Sequence, residues 1–402
     1  MNLIIFEDYN ADGFYPLSIS HPVFDLFCGC FNVVDRIKYY FKSDKIYLSC
    51  RSYLADIARQ RYNLPVNNFA DINDDSIIVN AAAIPDPKIL ETIEFCPVDS
   101  LVVSSGSIIG GKLSPKKIKE FSFVKLLEGY DIVDYKFELH QIDKALFGHL
   151  WDIVNYNPKA IENDLTLIPD IRGWKRDART ARFGDNIHIH PSAKVQDGAY
   201  IDSSGGPVVI DSGAKVEPGS LIQGPAYVGK NSVVMAGMIR EGCSLGPVCK
   251  VGGELEESII LGYSNKCHEG FIGHAYLGEW VNLGALTTNS DLKNNYGEIT
   301  VSLQGQTIPT GSIKVGCFIG DHTKTGIGTL LNTGIMIGFS NNLYGGSLFV
   351  DKEIGHFKWG TPGQLVQYRP DKAMEVAKAA MSRRGRDFDN VQNALFDRIS
   401  KL

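Results

Sequence analysis

The stretch that decides the fold is VVIDSGAKVEPGSLIQGPAYVGKNSVVMAGMI, residues 208–239. An aliphatic residue stands at every sixth position, at Ile210, Val216, Ile222, Val228 and Val234. A period of six is neither the 3.6 of a helix nor the 2 of a hairpin sheet, so both are excluded here. It fits a triangular coil in which each hexapeptide is one flat side, with the aliphatic residue inward and small residues at the corners. We therefore expect a left-handed parallel β-helix of hexapeptide repeats.

The same period extends over residues 184–350, with two polar interruptions. Residues 286–312 carry no hexapeptide phase and are rich in Asn, Thr and Gly, and a shorter break at 263–269 contains His268. Because a long polar loop in a solenoid is usually used for binding or assembly, we expect both breaks to lie near a functional site. The period is carried on either side of the first stretch by Ile189, Val195, Ile201, Leu245, Val251, Leu277, Leu283, Ile313, Ile319, Thr325, Leu331, Ile337 and Leu343.

Residues 1–135 have the pattern of an α/β domain. Short apolar runs suited to buried parallel strands alternate with helix-like stretches, which predicts a doubly wound, nucleotidyltransferase-like sheet with a ligand crevice at the carboxyl ends of its strands. The strand runs are Leu3–Phe6, Lys45–Leu48, Ser76–Val79 and Ser100–Val103, and the helical stretches include Val34–Phe41 and Tyr53–Tyr62.

Two further segments complete the predicted organisation. Residues 136–183 read as a helical linker, with a helix expected over 142–157. Residues 351–402 read as a short helical tail, in which Asp371 is a helix N-cap and a second amphipathic segment follows from Phe388.

Composition narrows the class of protein. A net charge of −6 over 402 residues argues against sequence-independent nucleic-acid binding, which needs a basic face. The opening MNLIIFEDYN has no basic n-region, and no apolar run is long enough to span a membrane. Eight scattered cysteines without a CxxC pair read as buried thiols in a reducing cytoplasm, and the nine histidines show no metal-site spacing. We expect a cytoplasmic enzyme with neither nucleic-acid nor membrane partners.

A known family is resembled most specifically by residues 251–297, which read VGGELEESIILGYSNKCHEGFIGHAYLGEWVNLGALTTNSDLKNNYG. This stretch resembles the GlmU-type sugar nucleotidyltransferases, in which an α/β domain precedes a hexapeptide coil. They are related to the bifunctional enzyme that joins a uridylyltransferase to a glucosamine-1-phosphate acetyltransferase and makes UDP-N-acetylglucosamine. The resemblance is looser over the first 130 residues.

The resemblance implies a catalytic histidine. The acetyltransferase family has its general base in a His-x-x-Tyr-x-Gly run, and the matching run here is HEGFIG, which begins at His268. Imidazole titrates near working pH and can deprotonate the nucleophile that attacks a thioester. Asn282 matches the amide that helps to bind the acceptor, and Phe271 replaces a tyrosine whose hydroxyl also binds it. His274 and His322 are the alternative histidines within the coil.

The resemblance also implies an acyl-CoA site. The family's Gly-Ala-Gly run, which contacts acyl-CoA through its backbone, reads GAL here and places Ala285 in that site. Asn289 stands near a family asparagine that contacts the acyl group. The implied partners are acetyl-CoA as co-substrate, a sugar phosphate or sugar nucleotide as acceptor, and two further copies of the chain in a homotrimer.

The N-terminal domain offers a degenerate nucleotide site. Active sugar nucleotidyltransferases hold a triphosphate with a glycine-rich loop and a basic residue. Here the loop after the first strand contains Asp8 and a single glycine, Gly13, and His21 falls where relatives carry Arg. Asn80 ends a central strand where an Asp would bind Mg²⁺, and Asp86 lies a few residues further on and can replace it.

Three functions remain open from the sequence. The first is acyl-CoA-dependent acetyl transfer to an amino-sugar phosphate or nucleotide sugar by the β-helix, with His268 as base. The second is a sugar-1-phosphate nucleotidyltransferase that uses Mg²⁺ and whose coil serves only assembly. The third is a non-catalytic scaffold that binds a sugar nucleotide in its α/β domain.

Overall fold

The computed structural model describes residues 1–43, 45–129, 137–174 and 181–402. The chain divides into two compact units. The first contains Met1–Phe14, His21–Leu26 and Phe31–His149, and the second contains Tyr15–Ser20, Phe27–Cys30 and Leu150–Leu402. The stretch predicted as a linker, 136–183, is thus divided between the two units.

The first unit is built on a six-stranded sheet. Its strands are β1 (Asn2–Phe6), β4 (Ile46–Ser49), β5 (Ser76–Asn80), β6 (Ser100–Ser104), β7 (Ser107–Leu113) and β8 (Glu138–Gln141), in the order β4-β1-β5-β7-β6-β8. The unit also contains β3 (Phe31–Asn32) and the helices α1 (Val33–Phe41), α2 (Ala55–Tyr62), α3 (Pro87–Phe95), α4 (Pro115–Glu120) and α5 (Phe123–Leu127). Strand β1 pairs in parallel with β4 and β5, and its residues are buried throughout, as expected of a strand covered on both faces.

The remainder of this sheet departs from the doubly wound pattern. Strand β7 runs antiparallel to both of its neighbours, β5 and β6. The reason lies in the turn between β6 and β7, where Ser105 has φ 49° and Gly106 has φ 86°. Two successive positive φ angles are the signature of a tight hairpin turn, and a glycine accepts such an angle without strain. The Ser-Gly dipeptide is the sequence signal for this hairpin.

The second unit is a parallel β-helix with three sides. The first side is a nine-stranded sheet of β10 (Ile187–Ile189), β13 (Val208–Ile210), β16 (Ala226–Val228), β19 (Cys243–Leu245), β22 (Ile259–Gly262), β25 (Tyr276–Glu279), β29 (Cys317–Ile319), β32 (Ile335–Ile337) and β35 (Glu353–Ile354). The second side contains β11 (Lys194–Val195), β14 (Lys215–Val216), β17 (Val233–Val234), β20 (Lys250–Val251) and β23 (Asn265–Lys266). It continues with β30 (Lys324–Thr325), β33 (Asn342–Leu343), β36 (Lys358–Thr361) and β37 (Gln364–Gln367).

The third side contains β9 (Ala181–Phe183), β12 (Tyr200–Asp202), β15 (Leu221–Gln223), β18 (Met238–Ile239), β21 (Glu254–Glu256) and β24 (Phe271–Gly273). It continues with β26 (Thr288–Asn289), β31 (Leu330–Leu331) and β34 (Leu348–Phe349). The polar stretch 286–312 contains an antiparallel hairpin of β27 (Thr300–Leu303) and β28 (Gln306–Pro309). The short strand β2 (Phe27–Cys28) also belongs to this unit.

The predicted hexapeptide phase is confirmed by burial except at Ile313, which is 51% exposed. Ile210, Val216, Ile222, Val228 and Val234 are all fully buried in one continuous core inside the coil. Successive coils pair in parallel, and each hexapeptide side hydrogen-bonds to the sides above and below it. The parallel β-helix is therefore confirmed, and its left-handed winding stays a prediction.

Three helices accompany the coil, α6 (Leu150–Asp164), α7 (Pro370–Ser382) and α8 (Asn390–Ile399). Helix α8 packs on the end of the coil through Phe396, whose fully buried ring contacts His322, Phe339 and Phe357. All eight cysteines are free thiols. Within the described residues, every helix is too short or too polar to cross a bilayer.

Candidate functional site at a corner of the coil

His268 lies exposed on the corner loop between β23 and β24. Two positions before it, Lys266 occupies an inward position of the coil, in register with Val251, and is fully buried. Its ammonium donates hydrogen bonds to the carbonyl oxygens of His268 and Glu269. Burial lowers the pKa of Lys266 to about 8. The buried lysine therefore braces the corner from inside and leaves the imidazole of His268 facing solvent.

The next coil brings two other predicted residues to the same corner. The exposed Asn282 accepts a hydrogen bond from the side-chain amide of Asn265, at 3.2 Å. The backbone N–H of Leu286 donates to the carbonyl of Glu269, at 2.8 Å, which places Ala285 in the coil next to His268. His268, Asn282 and Ala285 thus lie on adjacent coils around one corner, as a shared site requires.

Phe271 and Asn289 lie on the third side of the coil. Phe271 is half-buried, and its backbone N–H donates to the hydroxyl of Thr288, at 3.2 Å. Asn289 is buried, and its amide bonds the N–H and the carbonyl of Gly273, at 2.9 and 3.0 Å. The hydrogen bonds of Asn289 are therefore made inside the coil, where they join two successive turns.

A cavity of about 570 Å³ lies between the second side of the coil and helix α7, and the sequence analysis did not identify it. We name it the basic groove. Among the described residues that line it none is acidic and four are basic, namely Lys250, Lys324, Arg383 and Arg384. It is continuous with the His268 corner, because Cys267 and Asn282 also line it.

A second cluster that the sequence did not reveal surrounds His274. This buried imidazole lies 2.8 Å from Asp291 through Nδ1 and 3.4 Å from Glu257 through Nε2. Burial opposes the charge of the imidazole, but hydrogen bonds to Asp291 and Glu257 outweigh it and raise the pKa of His274 to about 9. A histidine that is protonated at neutral pH cannot act as a general base, so this alternative to His268 is unfavourable.

The same cluster contains the one group among the described residues that could hold a metal ion, formed by Glu256, His274 and Asp291. Their ligand atoms lie within 4.8 Å of one another. Lys314 already neutralises Glu256 at 3.1 Å. A metal would therefore have to displace both this ammonium and the proton on the histidine.

His322, the other alternative, is buried between rings. It stacks at 6.2 Å on Trp280 and meets Phe396 edge-on. An imidazole enclosed in this way packs the end of the coil and does not face a substrate.

In the first unit, two predicted residues meet at the carboxyl ends of parallel strands. Asn80 lies in register with Phe6, and its side-chain amide donates to the carboxylate of Asp8, at 2.8 Å. Burial raises the pKa of Asp8, although hydrogen bonds from Asn10 and Asn80 oppose the shift. A single buried carboxylate is a poor Mg²⁺ site unless the phosphates of a substrate supply further oxygens, so Mg²⁺ stays a prediction.

The other predicted residues of this unit have structural contacts. Gly13 packs so closely on the backbone of Gly148 that a Cβ would lie 2.1 Å from its carbonyl oxygen. His21 is buried, with Nδ1 3.2 Å from Asp25. The carboxylate of Asp86 accepts the N–H of Lys88, at 2.8 Å, and caps α3.

The comparisons with known proteins relate the chain to sugar nucleotidyl transferases and to proteins named as bifunctional transferases. Residues 3–172 match the family model described as sugar nucleotidyl transferase. A bifunctional sugar-1-phosphate nucleotidylyltransferase/acetyltransferase from Sulfurisphaera tokodaii is 29% identical over 217 residues, 52% of this chain and 46% of the relative. The bifunctional protein GlmU of Methanococcus vannielii is 28% identical over 207 residues, 52% of this chain and 44% of its own. The chain thus spans about half the length of the curated relatives it matches.

A solved structure was also matched. UDP-N-acetylglucosamine O-acyltransferase from Moraxella catarrhalis aligns with 53% of this chain and 96% of its own, at 12% identity and a TM-score of 0.27. That TM-score is too low for the likeness to support a fold or a function. Residues 3–172 are therefore similar to sugar nucleotidyl transferases, and the chain is similar over about half its length to proteins named as bifunctional transferases.

Proposed function

Because the chain is related to bifunctional sugar-1-phosphate nucleotidylyltransferase/acetyltransferases, we propose that it is a transferase of sugar-nucleotide metabolism. Its β-helix would transfer an acetyl group from acetyl-CoA to an amino-sugar phosphate or nucleotide sugar. The observation that carries this proposal is the exposed His268 on a corner braced by the buried Lys266. The other two coil histidines considered from the sequence are buried.

The chemistry assigns a role to each residue of the corner. His268 accepts a proton from the attacking amine of the acceptor while the nitrogen–carbon bond forms at the thioester carbonyl. The carbon–sulfur bond then breaks, and the sulfur leaves as the thiol of coenzyme A after it receives that proton from His268. Asn282 is positioned to hydrogen-bond the acceptor. The backbone around Ala285 would contact the acyl-CoA, as the resemblance implies.

The proposed assembly is a homotrimer in the cytoplasm, with each acyl-CoA site in a groove between the β-helices of two neighbouring subunits. The last strands of the third side carry apolar side chains on their outer surface, where Leu330 pairs with Leu348. Both are partly exposed, and Ile327 and Val350 beside them are 74% and 65% exposed. A flat apolar surface of this kind is suited to a second copy of the same chain.

The test is thiol release from acetyl-CoA in the presence of a panel of amino-sugar phosphates and nucleotide amino sugars. We expect His268→Ala to lower the rate by about a hundredfold or more, the range for a general base. The matched control is His188→Ala, a histidine in β10. Acetyl transfer would be refuted if the wild-type protein released no thiol with any member of the panel. Equal rates in wild type and His268→Ala would refute His268 as its general base.

A second function is favoured by the family match over residues 3–172. The first unit would join a nucleoside triphosphate to a sugar 1-phosphate and release pyrophosphate, with Asp8 and the substrate phosphates holding Mg²⁺. Pyrophosphate release that requires Mg²⁺ and falls in Asp8→Asn would support it. Binding of a sugar nucleotide to this unit without turnover would instead support the scaffold.

A further inference from the structure

The basic groove contains positive charge that no ion pair of the described residues neutralises, although the negative charge of Asp321 acts on Lys324. Among the ion pairs of the described residues, none joins a carboxylate to the four basic side chains of the groove, Lys250, Lys324, Arg383 and Arg384. Elsewhere on the coil several basic side chains are paired, as in Lys215 with Glu217 at 2.7 Å and Arg240 with Glu254 at 2.6 Å. Four clustered cations repel one another, so this arrangement costs stability unless an anion binds there.

The four cations approach the groove from both walls. Lys250 and Lys324 come from the second side of the coil, and Arg383 and Arg384 come from the end of helix α7. The ammonium of Lys324 donates to the carbonyl of Trp280. Burial lowers its pKa to about 8, so its charge is poorly solvated and would gain from a bound anion.

The guanidinium groups keep hydrogen-bond donors available. Arg384 uses Nη2 to donate to Asn265, at 2.7 Å, and Arg383 is exposed at the end of α7. Nearby, Arg386 donates to the hydroxyl of Tyr263, at 2.5 Å, and adds a fifth positive charge. The wall formed by α7 contains Ala379 and Ala380, whose small side chains leave room for a ligand.

We propose that the basic groove binds the phosphate or diphosphate group of a small organic phosphate. Two arginine forks match the oxygens of phosphate, and four cations neutralise the two or more negative charges of such a group better than the single charge of a carboxylate. A volume of about 570 Å³ accommodates a group the size of one nucleotide and is too small for a polynucleotide.

The inference deepens the proposed function, on which it rests only for the placement of the reacting group. Because Cys267 and Asn282 line the groove and flank the His268 corner, a phosphate held there would place the rest of its molecule beside the imidazole. The phosphate can come from coenzyme A or from the sugar acceptor, since both substrates carry this group. The groove would then set which end of a substrate enters.

The experiment measures binding and not turnover, so it is independent of the catalytic role of His268. Inorganic pyrophosphate is titrated by calorimetry into wild type, Arg383→Ala and the double variant Arg383→Ala/Arg384→Ala. We expect the dissociation constant to rise about threefold in the single variant and tenfold or more in the double variant, since each lost contact is a charge-assisted hydrogen bond. Arg383→Ala removes an exposed side chain, and therefore the fold is preserved.

The control is Arg369→Ala/Lys372→Ala, which also removes two positive charges from helix α7 or its N-cap. Both side chains are exposed and already paired with Asp371 and Glu375. Equal losses in the two double variants, or no binding of pyrophosphate by the wild type, would overturn the proposal. In a competition arm, displacement of pyrophosphate by coenzyme A assigns the groove to the donor, and displacement by glucosamine 1-phosphate assigns it to the acceptor.

If His268→Ala binds pyrophosphate as the wild type does and the wild type shows no acetyl transfer, the groove stands and the proposed function fails. If the wild type transfers acetyl groups and its affinity for pyrophosphate is unchanged in the arginine variants, the proposed function stands and the groove proposal fails. The two proposals can therefore fail separately.

Discussion

At the scale of single residues, the inward lysine of the coil is the feature with the clearest consequence. Lys266 stands where the neighbouring coil has Val251, and its ammonium bonds two carbonyl oxygens of the corner that carries His268. A buried amine is tolerated here because these carbonyls replace the water it loses. The position of the corner that carries His268 therefore depends on a side chain in the core.

We expect Lys266→Met to lower the free energy of unfolding by roughly 1–3 kcal/mol at pH 7, because the carbonyls of His268 and Glu269 lose their donor. Its pKa of about 8 in the folded protein lies below the ordinary value of 10.5, so the unfolded chain binds more protons between these values. The contribution of Lys266 to the free energy of unfolding thus increases as pH rises from 8 to 10.5. The difference in unfolding free energy between wild type and the variant should therefore widen over this range. Urea unfolding at several pH values measures this, with the exposed Lys194→Met as control. An advantage that narrows over this range would contradict the burial of the charge.

The buried His274 makes the opposite prediction. Its folded pKa of about 9 lies above the ordinary 6.5, so its contribution is complete below pH 6.5 and is lost as pH rises through 9. We expect His274→Gln to lower the free energy of unfolding by roughly 2 kcal/mol at pH 6 and by less at pH 9, because Asp291 loses its partner. Unfolding at both pH values measures the gap between wild type and variant. In an Asp291→Asn background the pH dependence should weaken, and a gap that grows with pH would refute the ion pair.

The sequence could identify His268 but not its surroundings. His268 has a local pattern, HEGFIG, that resembles a family motif. Asn265 and Asn282 meet only because successive coils stack residues 17 positions apart, and the basic groove also needs α7, more than a hundred positions later in the chain. Contacts between coils and a distant helix leave no short-range signal, so the groove and the His274 cluster were not predicted.

At the scale of elements, the C-terminal helix α8 depends on one ring. Phe396 is fully buried and lies 4.7 Å from Phe339 and 5.2 Å from Phe388, between ring centroids. We expect Phe396→Ala to lower the free energy of unfolding by about 3–5 kcal/mol, because it leaves a cavity in an aromatic cluster. Urea unfolding measures the loss, and Leu402→Ala, at a residue 67% exposed, should cost less than about 0.5 kcal/mol. A loss for Phe396→Ala no larger than that of the control would mean that α8 is not docked on the coil.

The elements were predictable where one physical rule dominates. The coil was found because each hexapeptide must bury one aliphatic side chain, and this need repeats along the chain. The helix predicted over 142–157 was placed too early in the chain, because α6 begins at Leu150 and continues through Pro158 to Asp164. The hairpin of β27 and β28 lies in a stretch without any period, so nothing in its pattern could indicate it.

At the scale of the whole molecule, the outer surface of the third side leads to the last prediction. Leu330 and Leu348 are 39% and 43% exposed and lie side by side on neighbouring coils. If three copies bury this surface, sedimentation of the wild type should give three times the chain mass of 44.2 kDa. A charge placed in an apolar interface loses its hydration, so Leu330→Glu/Leu348→Glu should sediment as a monomer with unchanged circular dichroism. Phe95→Glu/Val124→Glu, which changes two exposed residues of the first unit, should remain a trimer.

The monomeric variant also separates assembly from chemistry. If the acyl-CoA site lies between the β-helices of two subunits, Leu330→Glu/Leu348→Glu should lose acetyl transfer. The variant should keep its affinity for pyrophosphate, because all four cations of the basic groove come from one chain. Retained acetyl transfer in a monomer would place the whole active site within one coil and its own helix α7. If the wild type sediments as a single chain, the proposed interface is wrong, and the His268 corner would have to transfer the acetyl group within one subunit.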